Sequence, residues 1–277
     1  MEILNVTPDS FSERGMYFDR KAAITRGLEM EREGADLLDL GGESTRPGAE
    51  PVAEEEELDR TIPVIEALRR KGLKIPISID TYKAAVAERA IAAGAEIVND
   101  VSGLRFDPKL ASVVANGRAG LILMHMRGTP RTMQQLPPVR DITAAVCGSL
   151  AASLRRALAA GINKRRIVLD PGIGFGKTVE QNFEIVVKCL PRLARMGYPI
   201  LVGPSRKSFI RRTLASQLPA LVRKTQVAPA EPTAEEILFG TAAAITAAIL
   251  NGAHIVRVHD VRQMLPAARL ADRLLGG

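Results

Sequence analysis

At 277 residues with two cysteines and three histidines, the chain lacks the Cys and His clusters of a disulfide scaffold or a zinc module. A formal charge of +7 favours anionic ligands, yet aromatics are only 4% and no nucleic-acid motif is present. Clusters such as Arg69-Arg70-Lys71 and Lys164-Arg165-Arg166 therefore read as solvated helix ends matched to the helix dipole.

The opening MEILNVTPDS has neither a basic n-region nor a long apolar stretch, and the longest later apolar run, Ala242 to Leu250, is too short to span a bilayer. The expectation is a soluble, cytoplasmic protein with no membrane and no nucleic-acid partner. Cys147 and Cys189 sit singly in helical patterns and read as buried small hydrophobes.

Taken in order, β-like apolar runs recur at Ile3 to Asn5, Asp36 to Gly41, Pro76 to Asp80, Glu96 to Asp100, Gly120 to Met126, Arg166 to Asp170, Pro199 to Gly203 and His254 to His259. Helical patterns lie between them, among others Arg20 to Glu33, Glu54 to Arg70, Ala84 to Ala93, Ile142 to Ala160 and Val179 to Met196. Eight alternations predict an α/β fold, a single (β/α)₈ TIM barrel forming one domain over residues 1–277. Three helix-to-strand joints, Glu33 to Asp36, Ala93 to Glu96 and Asn251 to His254, share a glycine suited to a left-handed helix cap. Leu214 to Pro232 reads as a surface excursion, and Thr233 to Glu236 as a capping box.

The stretch RIVLDPGIGFGK, 166–177, is a buried strand that ends on Asp170 and opens into a turn with Gly172, Gly174 and Gly176. Lys177 adds charge beside those glycines, which reads as a ligand-facing strand end. A phosphate-binding P-loop is excluded at its first position, where Pro171 has no N–H to offer.

Polar residues stand at almost every strand end: Asn5, Asp39, Asp80, Asn99, Asp100, His125, Asp170, Ser205 with Lys207, and Arg257 with His259. In a barrel these converge on the C-terminal mouth, where active sites lie. Alternation leaves open whether His125 faces the pore, or Met124 or Met126 beside it. The mouth then offers carboxylates and an amide to N–H donors, and Lys207, Arg257 and His259 to anionic groups.

The motifs ILNVTPDSFS at 3–12, GGESTRPGA at 41–49, ISIDTYK at 77–83, IVNDVSG at 97–103, LMHMRGTP at 123–130, LDPGIGFGKT at 169–178, GPSRKSF at 203–209 and RVHDV at 257–261 resemble the dihydropteroate synthase family over almost the whole chain. The resemblance implies condensation of a dihydropterin-CH₂ diphosphate with 4-aminobenzoate, with Mg²⁺ and a homodimeric state. It implies that Asp80, Asn99 and Asp170 accept from the pterin edge while Lys207 donates to it, beside Met124. It implies that Thr45, Arg46, Arg257 and His259 surround the diphosphate and that Asn5 helps hold Mg²⁺. Lys207, Asp80, Asp170, Arg257 and His259 form the implied catalytic set. It also implies that Pro47, Phe175, Ser205 and Arg206 line the aminobenzoate entry under two loops, Thr7 to Gly15 and Gly42 to Gly48, while Asp39 at its strand end is placed to orient Arg257 or a metal-bound water. The chain departs from the family at Glu2 and over Glu13 to Tyr17. A corrinoid methyltransferase pterin domain shares the barrel and the acidic pocket, but ESTRPG and SRKSF suit diphosphate and aminobenzoate chemistry instead.

Overall fold

The computed structural model describes residues 1–7, 20–217 and 231–276. Most of the expected first loop, and most of the excursion after Leu214, lie outside the described residues. Among the described residues, eight parallel strands alternate with helices. β1 (Glu2–Asn5) leads to α1 (Arg20–Arg32), β2 (Leu38–Gly41) to α2 (Glu54–Arg70), and β3 (Ile77–Asp80) to α3 (Ala84–Ala93). β4 (Ile97–Asp100) leads to α4 (Leu110–Asn116), and β5 (Gly120–Met124) to α5 (Ile142–Ala159). After β6 (Ile167–Asp170) come α6 (Val179–Glu184), a π-helical turn (Ile185–Cys189) and α7 (Leu190–Ala194). β7 (Leu201–Val202), α8 (Ser208–Gln217), α9 (Ala234–Leu250), β8 (Ile255–Val256) and α10 (Val261–Leu275) complete the order.

β1 to β6 form one continuous parallel ladder, and β7 pairs with β8. Two single bridges, Leu169 with Ile200 and Glu2 with Val258, join these pieces at both seams. The Leu169 amide donates to the Pro199 carbonyl at 2.9 Å, the Ile3 amide to the Val258 carbonyl at 3.1 Å, and the Val258 amide to the Met1 carbonyl at 3.0 Å. The sheet thereby closes on itself as the expected (β/α)₈ barrel.

The joint glycines adopt positive φ, 98° at Gly34, 113° at Gly94 and 101° at Gly252, so the chain leaves each helix through a left-handed cap that a Cβ would strain. The Thr233–Glu236 capping box forms reciprocally. A second box, Thr178 with Gln181, opens α6. The helix expected over Val179 to Met196 ends at Ala194 and is interrupted by the π-helical turn. Pro191 explains the interruption, since it has no N–H for the Val187 carbonyl and its ring crowds that position.

Alternation sorts the strands into two faces. Leu4, Leu38, Leu40, Ile77, Ile79, Val98, Leu121, Leu123 and Leu169 point outward into the main core against the helices. The inward set begins at the N-terminal end with an apolar floor of Met1, Leu37, Ile122 and Leu201, backed by Ile97, Val168 and Ile255. One step further along the same strands, the inward positions become Asp39 and Ser78, paired in register, then Asp80 with Asn99, and Met124 with Asp170. A hydrophobic floor under a polar mouth follows from that change of residue type within one parity.

Candidate active site

The mouth is lined by Thr45, Asp80, Asn99, Val101, Met124, Asp170, Ile173, Phe175, Gly203, Lys207 and Arg257. Its apolar wall is a small cluster in which Met124 and Phe175 pack with Val101, Met126 and Met133, flanked by Tyr82 and Phe106. Its polar floor is a connected charge network. Arg257 donates from Nε to Asp39 Oδ2 at 2.6 Å and from Nη2 to Asp80 Oδ2 at 2.9 Å, and Asn99 Nδ2 donates to the same Asp39 oxygen at 3.1 Å. Asp39 thus orients Arg257, and it fixes the Asn99 amide as well. Among the described residues, Asp80 Oδ1 is buried without a protein partner, as is Asp39 Oδ1. Burial, and Asp39 nearby, raise the Asp80 pKa despite Arg257.

Asp170 occupies the end of β6, and its Oδ1 accepts from the Gly172 amide at 2.6 Å. Burial pushes its carboxyl up to about 6, against that hydrogen bond and the nearby Lys207 and Lys177. Gly172 is required here for two reasons: φ is 67°, and a Cβ would stand 2.0 Å from the His125 carbonyl oxygen. Lys207 stands with Nζ 4.1 Å from the centre of the Phe175 ring, a cation–π contact that holds the ammonium over the mouth. Burial, then the Arg257 charge, pull Lys207 down to about 8, with Asp170 opposing.

At the rim, Ser205 Oγ lies 3.1 Å from His259 Nδ1 and accepts from the His259 amide at 3.3 Å. Burial and Arg257 push His259 down to about 4, so it serves as a neutral imidazole at pH 7 and adds no positive charge of its own. Arg206 has φ of 57° and is held by Asp260, to which Nε donates at 2.9 Å and Nη2 gives a second bond. Thr45, half-buried, lines the mouth, and Arg46 and Pro47, which follow it in the chain, are exposed.

The family model described as "Pterin binding enzyme" matches residues 1–259. The dihydropteroate synthase of Synechocystis is 47% identical, covering 99% of this chain and 89% of that one. The chain belongs to the dihydropteroate synthase family. Two solved dihydropteroate synthases share its fold. That of Yersinia pestis, in a sulfonamide drug complex, has a TM-score of 0.87 and 37% identity, covering 100% of this chain and 94% of its own. That of Xanthomonas albilineans, in complex with 7,8-dihydropteroate, has a TM-score of 0.82 and 38% identity, covering 100% and 93%.

Within this dihydropteroate synthase fold, two expectations about the mouth, at Asp100 and Lys177, need correction, and the open choice at His125 is decided. Asp100 does not face it: one residue after the inward Asn99 its parity is outward, and its carboxylate accepts from the amides of Ser102, at 2.8 Å, and Leu104, closing the β4 turn. His125 likewise lies opposite to Met124 in parity, buried with Nδ1 unpartnered among the described residues and its pKa pushed down to about 3, first by burial and then by Lys177. Met124 takes the inward place. Lys177 is not ligand-facing; its ammonium is buried and donates to the carbonyls of Gly172, Phe175 and His125 at 2.6, 3.0 and 3.2 Å. It folds the glycine loop around itself.

Residue types alone did not single out Glu43, Glu57 and Lys83, which form a buried ion cluster behind the second loop. The available signal was weak: a carboxylate directly after two glycines in GGES, and a lysine three residues after Asp80.

Proposed function

We propose that this mouth joins a dihydropterin-CH₂ diphosphate to 4-aminobenzoate, releasing 7,8-dihydropteroate and diphosphate. The observation that carries the reading is the inward row of Asp80, Asn99 and Asp170, acceptors facing one small cavity walled by Met124 and Phe175. A flat heterocycle with an amino group and ring N–H donors satisfies those acceptors, and Lys207 donates to its ring acceptor. Desolvation makes such charge-assisted pairs selective, because a ligand without the donors leaves buried carboxylates unpaired.

The amine nitrogen of 4-aminobenzoate forms a bond to the exocyclic methylene carbon as the carbon–oxygen bond to diphosphate breaks, and one amine proton leaves. Charge grows on the departing oxygen, so stabilising it is the main catalytic task. Arg257, pre-aligned by Asp39 and Asp80, supplies fixed positive charge, with Arg46 from the rim and Thr45 and neutral His259 as hydrogen-bond donors. Phe175, Pro47, Ser205 and Arg206 border the entry for the aminobenzoate ring. Arg206 reaches that role only from its Asp260 pairing, which fixes its direction.

The residues fit Mg²⁺. No group of three His, Cys, Asp or Glu side chains forms a metal cage among the described residues, and Asn5 brings one carboxamide to the β1 end. That donor set suits a hard cation carried chiefly by phosphate oxygens and water. When bound, Mg²⁺ would neutralise diphosphate charge, with Asn5 as its protein ligand. We read the protein as a homodimer, which light scattering tests directly.

The experiment is diphosphate release with both substrates and Mg²⁺. Release that requires both substrates is expected; none with either pterin diphosphate or aminobenzoate withheld, and none in Asp170→Ala. Release independent of aminobenzoate would overturn the reading, and a corrinoid-type pterin domain would give no release at all.

A further inference from the structure

The loop between β2 and α2 carries Thr45, Arg46 and Pro47, yet its own backbone makes few bonds: the Ala49 amide to the Arg46 carbonyl at 3.1 Å, and Gly48 to the Pro130 carbonyl at 3.1 Å. What ties it down is one buried side chain. Glu43 Oε2 accepts from Lys83 Nζ at 2.6 Å and from the Val52 amide at 3.0 Å, while Oε1 accepts from the Tyr82 hydroxyl at 2.8 Å. Lys83 also donates to the Val52 carbonyl at 2.7 Å and to Glu57. Glu43 therefore joins the start of the loop, its end at Val52, and the turn that follows Asp80 on β3. Tyr82 continues the path, meeting Phe106 edge-on at 5.3 Å and packing on the apolar wall that contains Met124 and Phe175.

The path of the chain leaves little freedom around this residue. Gly42 passes so close to α2 that a Cβ would meet Thr61 Cγ2 at 2.7 Å, and its carbonyl accepts from Arg60 Nη1 at 2.7 Å. The direction in which Glu43 enters the interior is thereby set, and the loop swings from that point.

We propose that Glu43, held by Lys83 and Tyr82, is a positioning residue that fixes the 44–51 segment over the mouth and so presents Thr45, Arg46 and Pro47 to diphosphate and aminobenzoate. The inference rests on the function proposed above. It assigns Glu43 no contact with substrate.

The charge count separates positioning from mere stability. Lys83 faces two buried carboxyl groups, Glu43 and Glu57, and among the described residues Glu57 Oε1 has no partner, so the cluster holds one more carboxyl than ammonium, and burial raises the Glu57 pKa. Glu43→Gln keeps the shape and leaves Lys83 paired one-to-one with Glu57. A single amide oxygen cannot serve Tyr82, Lys83 and Val52 as two carboxylate oxygens did, so the loop loosens while the fold keeps a balanced pair.

The test compares wild type with Glu43→Gln, Lys83→Met and the double variant. Pterin binding without diphosphate, by calorimetry, should change by less than about twofold in Glu43→Gln, whereas kcat/KM for aminobenzoate should fall by about tenfold or more. Amide exchange over residues 44–50 should accelerate, and the double variant should lose little more than either single one, because both break the same anchor. A parallel fall in pterin affinity, aminobenzoate turnover and melting temperature would reduce Glu43 to a structural residue and overturn the proposal. Unchanged exchange over 44–50 would overturn it as well. Exchange needs no turnover, so an inactive wild type would refute the proposed function while leaving the loop anchor to stand or fall on its own.

Discussion

Asp170→Asn should make this protein more stable and less able to bind pterin. The carboxylate is buried at the end of β6 and pushed up from 3.8 to about 6, which corresponds to about 3 kcal/mol held against the ionised form at pH 8. Relaxation of the glycine loop and water entry lower the recoverable part to about 1–2 kcal/mol. Asparagine keeps an oxygen for the Gly172 amide and removes the charge. The sign follows from proton binding: the folded carboxyl holds its proton more tightly than the unfolded one, so wild type loses stability as pH rises from about 4 to 6, and the variant lacks that loss. The stability advantage of the variant should thus be near zero below pH 4 and complete above pH 6. Binding moves the other way. The amide turns an N–H₂ toward pterin N–H donors, and one charge-assisted bond becomes a donor–donor opposition, a loss of about 2–4 kcal/mol in affinity. Urea unfolding at pH 5 and pH 8, with calorimetric pterin titration at pH 8, measures both quantities. A variant that binds pterin like wild type, or that is destabilised equally at both pH values, would refute the reasoning.

Asp39→Ala should be among the most damaging single changes, because it strips Arg257 and Asn99 of a shared buried partner; a loss of about 3–5 kcal/mol is expected in chemical unfolding. Lys177→Met leaves three buried carbonyls without their common donor and should lower stability by about 1–3 kcal/mol, with faster amide exchange over 172–176 as the local readout. Aminobenzoate should bind more tightly when diphosphate and Mg²⁺ are present than when they are absent, since Thr45, Arg46 and Pro47 share one segment; equal affinities by calorimetry would exclude that coupling. Sulfonamides should inhibit competitively against aminobenzoate in steady-state assays, and a pattern competitive against the pterin diphosphate would misplace the second substrate.

The barrel was legible because its evidence is periodic: eight apolar runs, helical patterns between them, and glycine joints whose positive φ only one residue type accepts readily. The inward row was legible for the same reason, since Asp80, Asn99 and Asp170 are acidic or amide residues at the ends of hydrophobic strands. Legibility failed wherever parity or partner had to be known. Asp100 is as polar and as close to a strand end as Asn99, and only the pleat separates them. Lys177 beside three glycines looks like a ligand group until its three carbonyl partners are seen, and those come from two different strand ends. Glu43 and Lys83 are 40 residues apart, so no local pattern could announce their pairing. The π-helical turn was foreshadowed by Pro191 alone, in a helix that otherwise reads as regular.

The unequal pairing around the barrel should give its two sides different lifetimes. β1 to β6 hold continuous ladders, whereas the two-residue strands β7 and β8 pair with each other and meet their neighbours through single bridges. Few hydrogen bonds must break for that quarter of the wall to breathe, and it carries Ser205, Lys207, Arg257 and His259 on its mouthward ends. Native-state exchange should place the amides of Val202, Arg257 and Val258 in a less protected class than those of Leu40, Ile79 and Leu123. On the proposed reading, the continuously laddered side would template the pterin, while the groups proposed to meet charge and the incoming ring would ride on the side expected to yield first.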